Sequence, residues 1–464
     1  MTVILLAVAA FPLVVAFLVV GFRRPAHLLL PAFAFFVPFG SGLALPSVPS
    51  RYGSISSLLM VALIAAIFIK LVSGRWRPER VTVVVAVWLG FVGVAATTVF
   101  WSVDVPSTLV GILPFAGIVI LYVALRLSPL DRVSLARTEV AIVCGGATAA
   151  GYGIYQFATS TLPTSLEGGG RFGRDLLDPN HTAAALTLPL AIALGKVSDR
   201  STPKWSRVCY FLVILSLLAA ILLTGSRGGL VAVGVVFVVM LATSRRRALT
   251  FVTLAVVVGT LFVLVDLNPA LVPARLLTSD SSGRTDIWKV GFAACPSYCG
   301  TGSGWGTFGL VYANTLPTVP GAAVTTSGVY FQPHNIWILA GIETGIVGLG
   351  LMTLGLALAV TEVLRLPKAV RAPPLAALTA LLASGFVLSN LEFKYFWMVL
   401  IYCGLCARVH VAERDRTARV AAAPNPLTSG HLDGEGAMMK RSARSRRHVR
   451  GEARRPAAGW TGDR

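Results

Sequence analysis

Residues 335–363, NIWILAGIETGIVGLGLMTLGLALAVTEV, form an apolar segment whose charged residues are Glu343 and Glu362. A helix needs about 20 mostly apolar residues to cross a bilayer, so this segment is long enough to span one. The thirteen stretches of this character cover residues 3–22, 27–46, 54–73, 81–101, 107–127, 138–159, 181–198, 206–224, 228–243, 248–266, 335–363, 374–390 and 393–410. They predict an all-α polytopic membrane protein with about 12 or 13 transmembrane helices and a long outer loop between the tenth and eleventh spans.

The composition agrees with this prediction. Of the 464 residues, 55 % are hydrophobic and 13 % are charged, whereas a soluble globular protein has about 25 % charged residues. This low charge content excludes the soluble, fibrous and disordered classes. The second span contains Pro31, Pro38 and Pro46, so a broken or re-entrant element is an alternative to a continuous helix there.

The basic residues predict the orientation of the chain. The formal net charge is +20, and Lys and Arg concentrate in every second loop and in the carboxyl-terminal tail. By the positive-inside rule these segments are cytoplasmic, which puts the amino terminus outside. The tail over 411–464 has no apolar face, so we expect it to be disordered and attracted to anionic lipid. Nucleic-acid binding by the tail is the remote alternative.

Two predicted outer segments, 160–180 and 267–333, are much longer than an ordinary connection between helices. The predicted cytoplasmic loops are short, so we expect any catalysis on the outer face. Cys295 and Cys299 lie in the second outer segment and are candidates for a disulfide, a pairing that the sequence leaves open. The glycine run at 300–309 lacks a βαβ context, so a dinucleotide site is rejected and a flexible loop is expected.

The eighth and ninth spans are joined by the turn TGSRGG at 224–229. Ser226 and Arg227 lie in this turn, on the side of the membrane where cations are rare. Free N–H groups at a helix start, glycine backbone and a guanidinium together make a site for phosphate oxygens. An arginine that extends to lipid phosphates is an equally supported interpretation.

Two more spans are predicted to begin on the outer face, after Asp-Pro-Asn-His at 178–181 and after Gln-Pro-His-Asn at 332–335. Asn180 is a candidate helix cap. His334 is the best candidate for proton transfer, with Asn335 beside it and Glu343 about two turns further on. A histidine in contact with interfacial water is the structural alternative. The sequence lacks an Asp-x-Asp pair, so we expect catalysis without a divalent metal.

In order along the chain, these motifs resemble the bacterial O-antigen ligase and lipid-linked glycan polymerase superfamily. The resemblance is carried by Asp-Pro-Asn at 178–180, TGSRGG at 224–229, Gly283-Arg284 with Trp288, GTGSGWGTFG at 300–309 and HNIWILAGIETGIVGLG at 334–350. It implies a domain organisation with N-terminal transmembrane helices over 1–160, a catalytic membrane region over 161–410 that includes outer loop 267–333, and the basic tail over 411–464.

The resemblance implies an enzyme of the bacterial cytoplasmic membrane that uses no cofactor. Such an enzyme moves a glycan from an undecaprenyl diphosphate carrier to a hydroxyl of a glycan, lipid or protein acceptor. Arg227 and Arg284 would hold the donor diphosphate, and His334 would be the general base. The predicted substrate-binding residues are Asn180, Ser226, Asn335 and Glu343. A flippase or transporter and a non-catalytic export scaffold are the alternative functions.

Overall fold

The structure is a computed structural model that describes residues 2–44, 50–163, 170–243, 247–267, 283–322 and 332–422, together with residues 273 and 276. Within these ranges the chain is helical, without a strand, and the all-α prediction is confirmed. The helices are α1 (Thr2–Arg23), α2 (Leu29–Phe36), α3 (Ser50–Gly53), α4 (Ile55–Val72), α5 (Val83–Thr97), α6 (Val105–Leu127), α7 (Arg132–Ala158), α8 (Pro179–Ala185), α9 (Thr187–Ser198), α10 (Lys204–Leu223), α11 (Arg227–Thr243), α12 (Arg247–Leu267), α13 (Arg284–Tyr298), α14 (Phe308–Thr315), α15 (Ile336–Leu364), α16 (Ala372–Gly385) and α17 (Lys394–Ala422).

Seven helical segments among the described residues are long and apolar enough to cross a membrane, which makes the chain a membrane protein. These segments are Ile55–Val72, Val83–Phe100, Val105–Leu127, Pro179–Ser198, Lys204–Leu223, Ile336–Leu364 and Lys394–Ala412. Shorter apolar helical segments include Leu29–Phe39, Arg227–Thr243 and Ala372–Gly385. A helix lies in each of the thirteen predicted spans, but the predicted count of 12 or 13 crossings is not confirmed.

The second predicted span is broken, as the proline-based alternative had it. Helix α2 ends at Phe36, and a 3-10 turn over Val37–Phe39 follows. Pro38 cannot donate the hydrogen bond that would continue an α-helix. At Gly40 the chain turns with φ of +50°. The continuous helix predicted over 27–46 is therefore wrong.

The contact map divides the chain into two compact units, Met1–Val411 and Ala412–Arg464. Helix α17 continues to Ala422, although the sequence predicted that the last helix ends at 410. Residues 411–422 read VAERDRTARVAA, and their Ala, Arg and Glu are good helix formers. The disordered tail predicted over 411–464 is therefore wrong for 411–422, and its remainder, 423–464, lies outside the described residues.

The connecting segments of the first unit meet at two ends of the bundle. At one end, the Trp101 indole donates to the Thr301 carbonyl over 3.2 Å and the Ser41 hydroxyl donates to the Leu176 carbonyl over 2.8 Å. The Phe172 amide donates to the Leu223 carbonyl there. We call this the glycine-rich end, and it comprises residues 40–44, 98–108, 170–179, 223–227, 300–308, 333–335 and 386–394.

The opposite end holds ion pairs between helices, and we call it the basic end. It comprises residues 125–132, 196–204, 362–372 and 408. The Arg126 guanidinium, 6 % exposed, binds the Glu362 carboxylate over 2.6 Å, and Arg408 binds Glu79 over 3.2 Å. The loops that were predicted to be cytoplasmic meet at this end. That this end faces the cytoplasm is itself a prediction from the positive-inside rule.

A column of buried aromatic rings joins the glycine-rich end to the bundle core. Trp305 stacks on Phe115 of α6 with ring centroids 4.1 Å apart. Phe91 of α5 meets Trp305 edge to face at 5.9 Å. Further along, Trp88 of α5 meets Trp397 of α17 at 4.9 Å. All five rings are at most 1 % exposed, so the loop that carries Trp305 is part of the core.

Adjacent glycines let α7 pack closely against two neighbours. A Cβ at Gly145 would collide with the backbone of Phe35 in α2, and one at Gly146 would lie 2.6 Å from the Pro189 ring in α9. Close approach at small residues is the usual packing mode of membrane helices. The close α2–α7 contact therefore requires a glycine, which has no side chain, at position 145.

We expect Gly145→Val to lower the free energy of unfolding by about 2 kcal/mol, because overpacking must separate the two backbones. Gly151→Val is the matched control, since a Cβ at Gly151 meets nothing within 4 Å in the same helix. Thermal unfolding of the purified proteins in detergent measures both. Equal melting temperatures for the two variants would contradict the packing argument.

Candidate functional site

Three helix starts meet at the glycine-rich end, those of α8, α11 and α15. Gly229 of α11 lies so close to Ala183 of α8 that a Cβ would collide with it. A Cβ at Gly228 would lie 2.9 Å from the side chain of Val387, which follows α16. The Asn335 amide, at the start of α15, donates to the adjacent Phe386 carbonyl over 3.2 Å. Loops distant in sequence thus form one surface.

Local hydrogen bonds hold the turn that carries Arg227. The Ser226 amide donates to the Thr224 hydroxyl, and the Gly229 amide donates to the Ser226 hydroxyl, each over 3.1 Å. Ser226 therefore caps α11, and Gly225 makes the turn with φ of +60°. Arg227, the first residue of α11, is half-buried. Its guanidinium is thus attached where the helix dipole attracts anions.

Arg171 supports the same turn, and the sequence reasoning missed it. Its Nε donates to the Thr224 carbonyl over 2.9 Å, and the side chain is 8 % exposed. Its position in the sequence could have identified it, because an arginine on the predicted outer side, where cations are rare, indicates a specific partner. Arg171 adds a second cation, besides Arg227, near the start of α11.

The start of α8 is capped by Asp178, and the prediction that Asn180 caps it is wrong. The backbone N–H of Asn180 donates to the Asp178 carboxylate over 2.9 Å. Pro179 occupies the first helical position, where no amide donor is needed. Asn180 is half-buried and precedes His181.

His181 links this helix start to the other candidates. Its Nδ1 lies 2.8 Å from the Tyr395 hydroxyl, and its ring stacks on Phe393 with centroids 3.9 Å apart. The imidazole also interacts electrostatically with Asp178, His334 and Arg284. The sequence ranked His181 below His334, whereas the structure brings both histidines and Arg284 into one cluster.

Asn335 and Trp288 determine the position of His334. The Asn335 side-chain oxygen caps α15: it accepts hydrogen bonds from the backbone N–H groups of Trp337 and Ile338 over 2.9 and 3.1 Å. The Trp288 indole donates to the Pro333 carbonyl over 2.9 Å. Between these anchors His334 has φ of +47°, a backbone conformation that is uncommon outside glycine. Helices α13 and α15 together therefore fix the backbone on both sides of His334.

Arg284 begins α13, directly after Gly283, whose φ is +72°. Helix α13 packs on α15, where Gly291 lies against Ile338 closely enough to exclude a Cβ. The Cys295–Cys299 disulfide, left open by the sequence, is formed in the last turn of α13, with Cα atoms 4.7 Å apart. Arg284 is half-buried, and its helix is attached to the one that begins beside His334.

Glu343 lies beneath the glycine-rich loop. The Phe308 amide donates to the Glu343 carboxylate over 3.0 Å, and the Gly304 amide donates to the Glu343 carbonyl over 3.2 Å. Since α-helix rises 1.5 Å per residue, Glu343 lies about 12 Å from Asn335 along α15. Its contacts are with the loop at 302–308, so its effect on His334 is indirect.

The glycine-rich loop is not the flexible loop that the sequence predicted. Helix α15 is interrupted at Gly345, with φ of +69° and ψ of −173°. The Ser303 amide donates to the Ile342 carbonyl over 2.8 Å, and the Ile346 amide donates to the Gly300 carbonyl over 3.4 Å. Loop and helix therefore satisfy each other's backbone groups.

We expect Gly345→Ala to release this loop. A Cβ there would lie 2.6 Å from the Gly300 carbonyl oxygen, and the backbone conformation costs a non-glycine residue about 1–3 kcal/mol. Hydrogen exchange of residues 300–308, measured by mass spectrometry, should accelerate. Gly350→Ala in the same helix is the control, because its Cβ meets nothing within 4 Å. Unchanged exchange in Gly345→Ala would refute the docking argument.

The comparisons with known proteins agree with the motifs. No curated protein matches the chain. The family model described as O-Antigen ligase matches residues 211–353, a segment that contains Arg227, Arg284, His334 and Glu343. The resemblance drawn from the sequence is thereby confirmed over residues 211–353.

Proposed function

We propose that the protein transfers a glycan from undecaprenyl diphosphate to an acceptor hydroxyl at the glycine-rich end of the bundle. The observation that carries the proposal is the electrostatic grouping of Arg284 and His334 around His181, at the start of the helix α8 that packs against the start of α11. The family match supports a glycan-transferring enzyme of the ligase or polymerase kind. A diphosphate leaving group needs cations, and an acceptor hydroxyl needs a base.

In this proposal Arg227 and Arg284 bind the donor diphosphate. The leaving diphosphate gains negative charge as the glycosidic bond breaks. Guanidinium groups already in position stabilise that charge more in the transition state than in the bound substrate. Both arginines begin helices, so the helix dipoles add to the positive potential.

His334 is the proposed general base, since an imidazole exchanges protons near neutral pH. It takes the proton of the acceptor hydroxyl as that oxygen bonds to the anomeric carbon. The bond from this carbon to the diphosphate oxygen breaks, and the diphosphate leaves with the electron pair. Attack opposite the leaving group inverts the anomeric centre. No metal or cofactor enters this step.

The other predicted substrate-binding residues act mainly through position. Ser226 caps the helix that carries Arg227, and Asn335 caps the helix beside His334. Glu343 holds the loop at Phe308. Asn180 is half-buried beside His181, where its amide can meet a sugar hydroxyl.

We further propose that the glycine-rich end faces the outside of the bacterial cytoplasmic membrane. The opposite end gathers the basic loops, which the positive-inside rule assigns to the cytoplasm. In that orientation α17 leads toward the cytoplasm, where the basic tail would meet anionic lipid headgroups.

We expect Arg227→Ala to reduce transfer about 100- to 1000-fold, because one charge-stabilising donor is lost. Arg227→Lys should recover little, since a point charge does not reproduce the geometry of a guanidinium. The readout is surface glycan in the native host at equal protein level in the membrane. Arg174→Ala is the control, because Arg174 is exposed at the same end. Normal transfer by Arg227→Ala would exclude this role.

We expect His334→Ala to fail to complement a deletion of the gene, since general-base catalysis contributes about 100-fold or more. Lipid-linked oligosaccharides and surface glycans are profiled together. Long lipid-linked chains without surface attachment indicate a ligase, and single repeats indicate a polymerase. His410→Ala, at the other end of α17's apolar segment, should complement. Full rescue by His334→Ala would favour a transporter or a scaffold.

A further inference from the structure

A second feature of the glycine-rich end lies outside the proposed catalytic cluster. A cavity of about 290 Å³ opens between the end of α2, α4, α6 and the start of α17. This volume is close to the lower limit of typical ligand sites, about 300 Å³. None of the residues assigned above to the diphosphate or to proton transfer lines it.

The cavity is polar at its mouth and apolar in its depth. Ser54, Gln332 and Lys394 line the mouth, within or beside the loops of the glycine-rich end. Met60 lies about 9 Å along α4 from Ser54, and Ile118 lies about 20 Å along α6 from its start, at 1.5 Å per residue. Such a gradient fits an amphipathic molecule with its head at the mouth.

Lys394 is a cation held at this mouth by hydroxyl groups. Its ammonium group donates to the hydroxyls of Ser54, Ser56 and Ser57 over 2.9, 3.0 and 2.6 Å. Among the residues that the structure describes, no carboxylate lies within ion-pair distance of Lys394. The three hydroxyls occupy all three N–H donors of this ammonium group but do not neutralise its charge, so a phosphate at the mouth would replace one hydroxyl and pair with the charge.

The cavity adjoins the catalytic cluster. Phe393 and Tyr395 line it, and these residues contact His181 by stacking and by a hydrogen bond. Gln332 lines it as well, two residues before His334. A ligand in the cavity would therefore lie beside His181 and beside the segment that leads to His334.

We propose that this cavity binds a second lipid with an anionic head, whose phosphate contacts Lys394 and whose chain enters the apolar part. Resting on the proposed function, the lipid is the carrier of the acceptor glycan. Glu392 is exposed at the same mouth, where its carboxylate accepts sugar hydroxyls. A phosphate that bears a sugar fits a lysine and a carboxylate together better than a bare phospholipid head.

The test is native mass spectrometry of the purified full-length protein in detergent, with undecaprenyl phosphate as the probe. Lys394→Met keeps the length of the side chain and removes its charge. We expect affinity at this site to fall about 10-fold or more, because a hydrogen bond between a charged group and phosphate is lost. The control is Lys70→Met, at the far end of α4, and it should bind as wild type does.

Three comparisons make the result decisive. Arg227→Ala should retain the lipid that Lys394→Met loses, which separates this site from the diphosphate site. Neutral undecaprenol should bind at least 10-fold more weakly than undecaprenyl phosphate. Phosphatidylglycerol should not displace the probe, and displacement at equal concentration would assign the cavity to bulk lipid and overturn the acceptor role.

Equal binding by Lys394→Met and wild type, with both folded by melting temperature, would also overturn the inference. This outcome is independent of glycan transfer. If His334→Ala complements while Lys394→Met loses the lipid, the proposed catalytic role fails and the lipid site stands. If His334→Ala fails to complement and Lys394→Met binds the lipid normally, the proposed catalytic role stands and the lipid site fails.

Discussion

The interruption of α15 at Gly345 is the constraint on which the glycine-rich end depends. A helix broken inside a bundle leaves carbonyl and amide groups that must find partners in an apolar surrounding. Ser303 and Gly304 supply the amides for Ile342 and Glu343, and Gly300 supplies the carbonyl for Ile346. The loop is thereby attached to the middle of a membrane helix.

The loop in turn positions its neighbours on two sides. Trp305 enters the aromatic column and packs on Phe115 of α6, which ties the loop to the helices that line the Lys394 cavity. On the other side, the segment before the loop is α13, which carries Arg284 and holds the Pro333 carbonyl through Trp288. The backbone hydrogen bonds between this loop and α15 therefore help to position both the catalytic cluster and the neighbouring cavity.

Two cations at this end donate hydrogen bonds to neutral oxygen atoms. Arg171 donates to a backbone carbonyl and Lys394 donates to three serine hydroxyls. At the basic end, by contrast, Arg126 and Arg408 pair with glutamates. A carboxylate partner neutralises a cation, whereas a hydroxyl orients it without neutralising it. Lys394 is therefore oriented by its serine partners and keeps its charge.

The sequence by itself determined the helical class, the approximate position of the helices in the thirteen predicted spans and the family resemblance of residues 211–353, because apolar length and short motifs are local properties. It also indicated which helices begin near Arg227 and His334. Local pattern was insufficient at Asn180, where the preceding Asp178 takes the cap, and at 300–309, where glycine content suggested mobility. Only the tertiary structure decided these points and brought Lys394 to Ser54, 340 residues away, and Arg171 to Thr224. Such contacts depend on how helices pack against one another, and the apolar faces that direct this packing are too similar from helix to helix to specify partners.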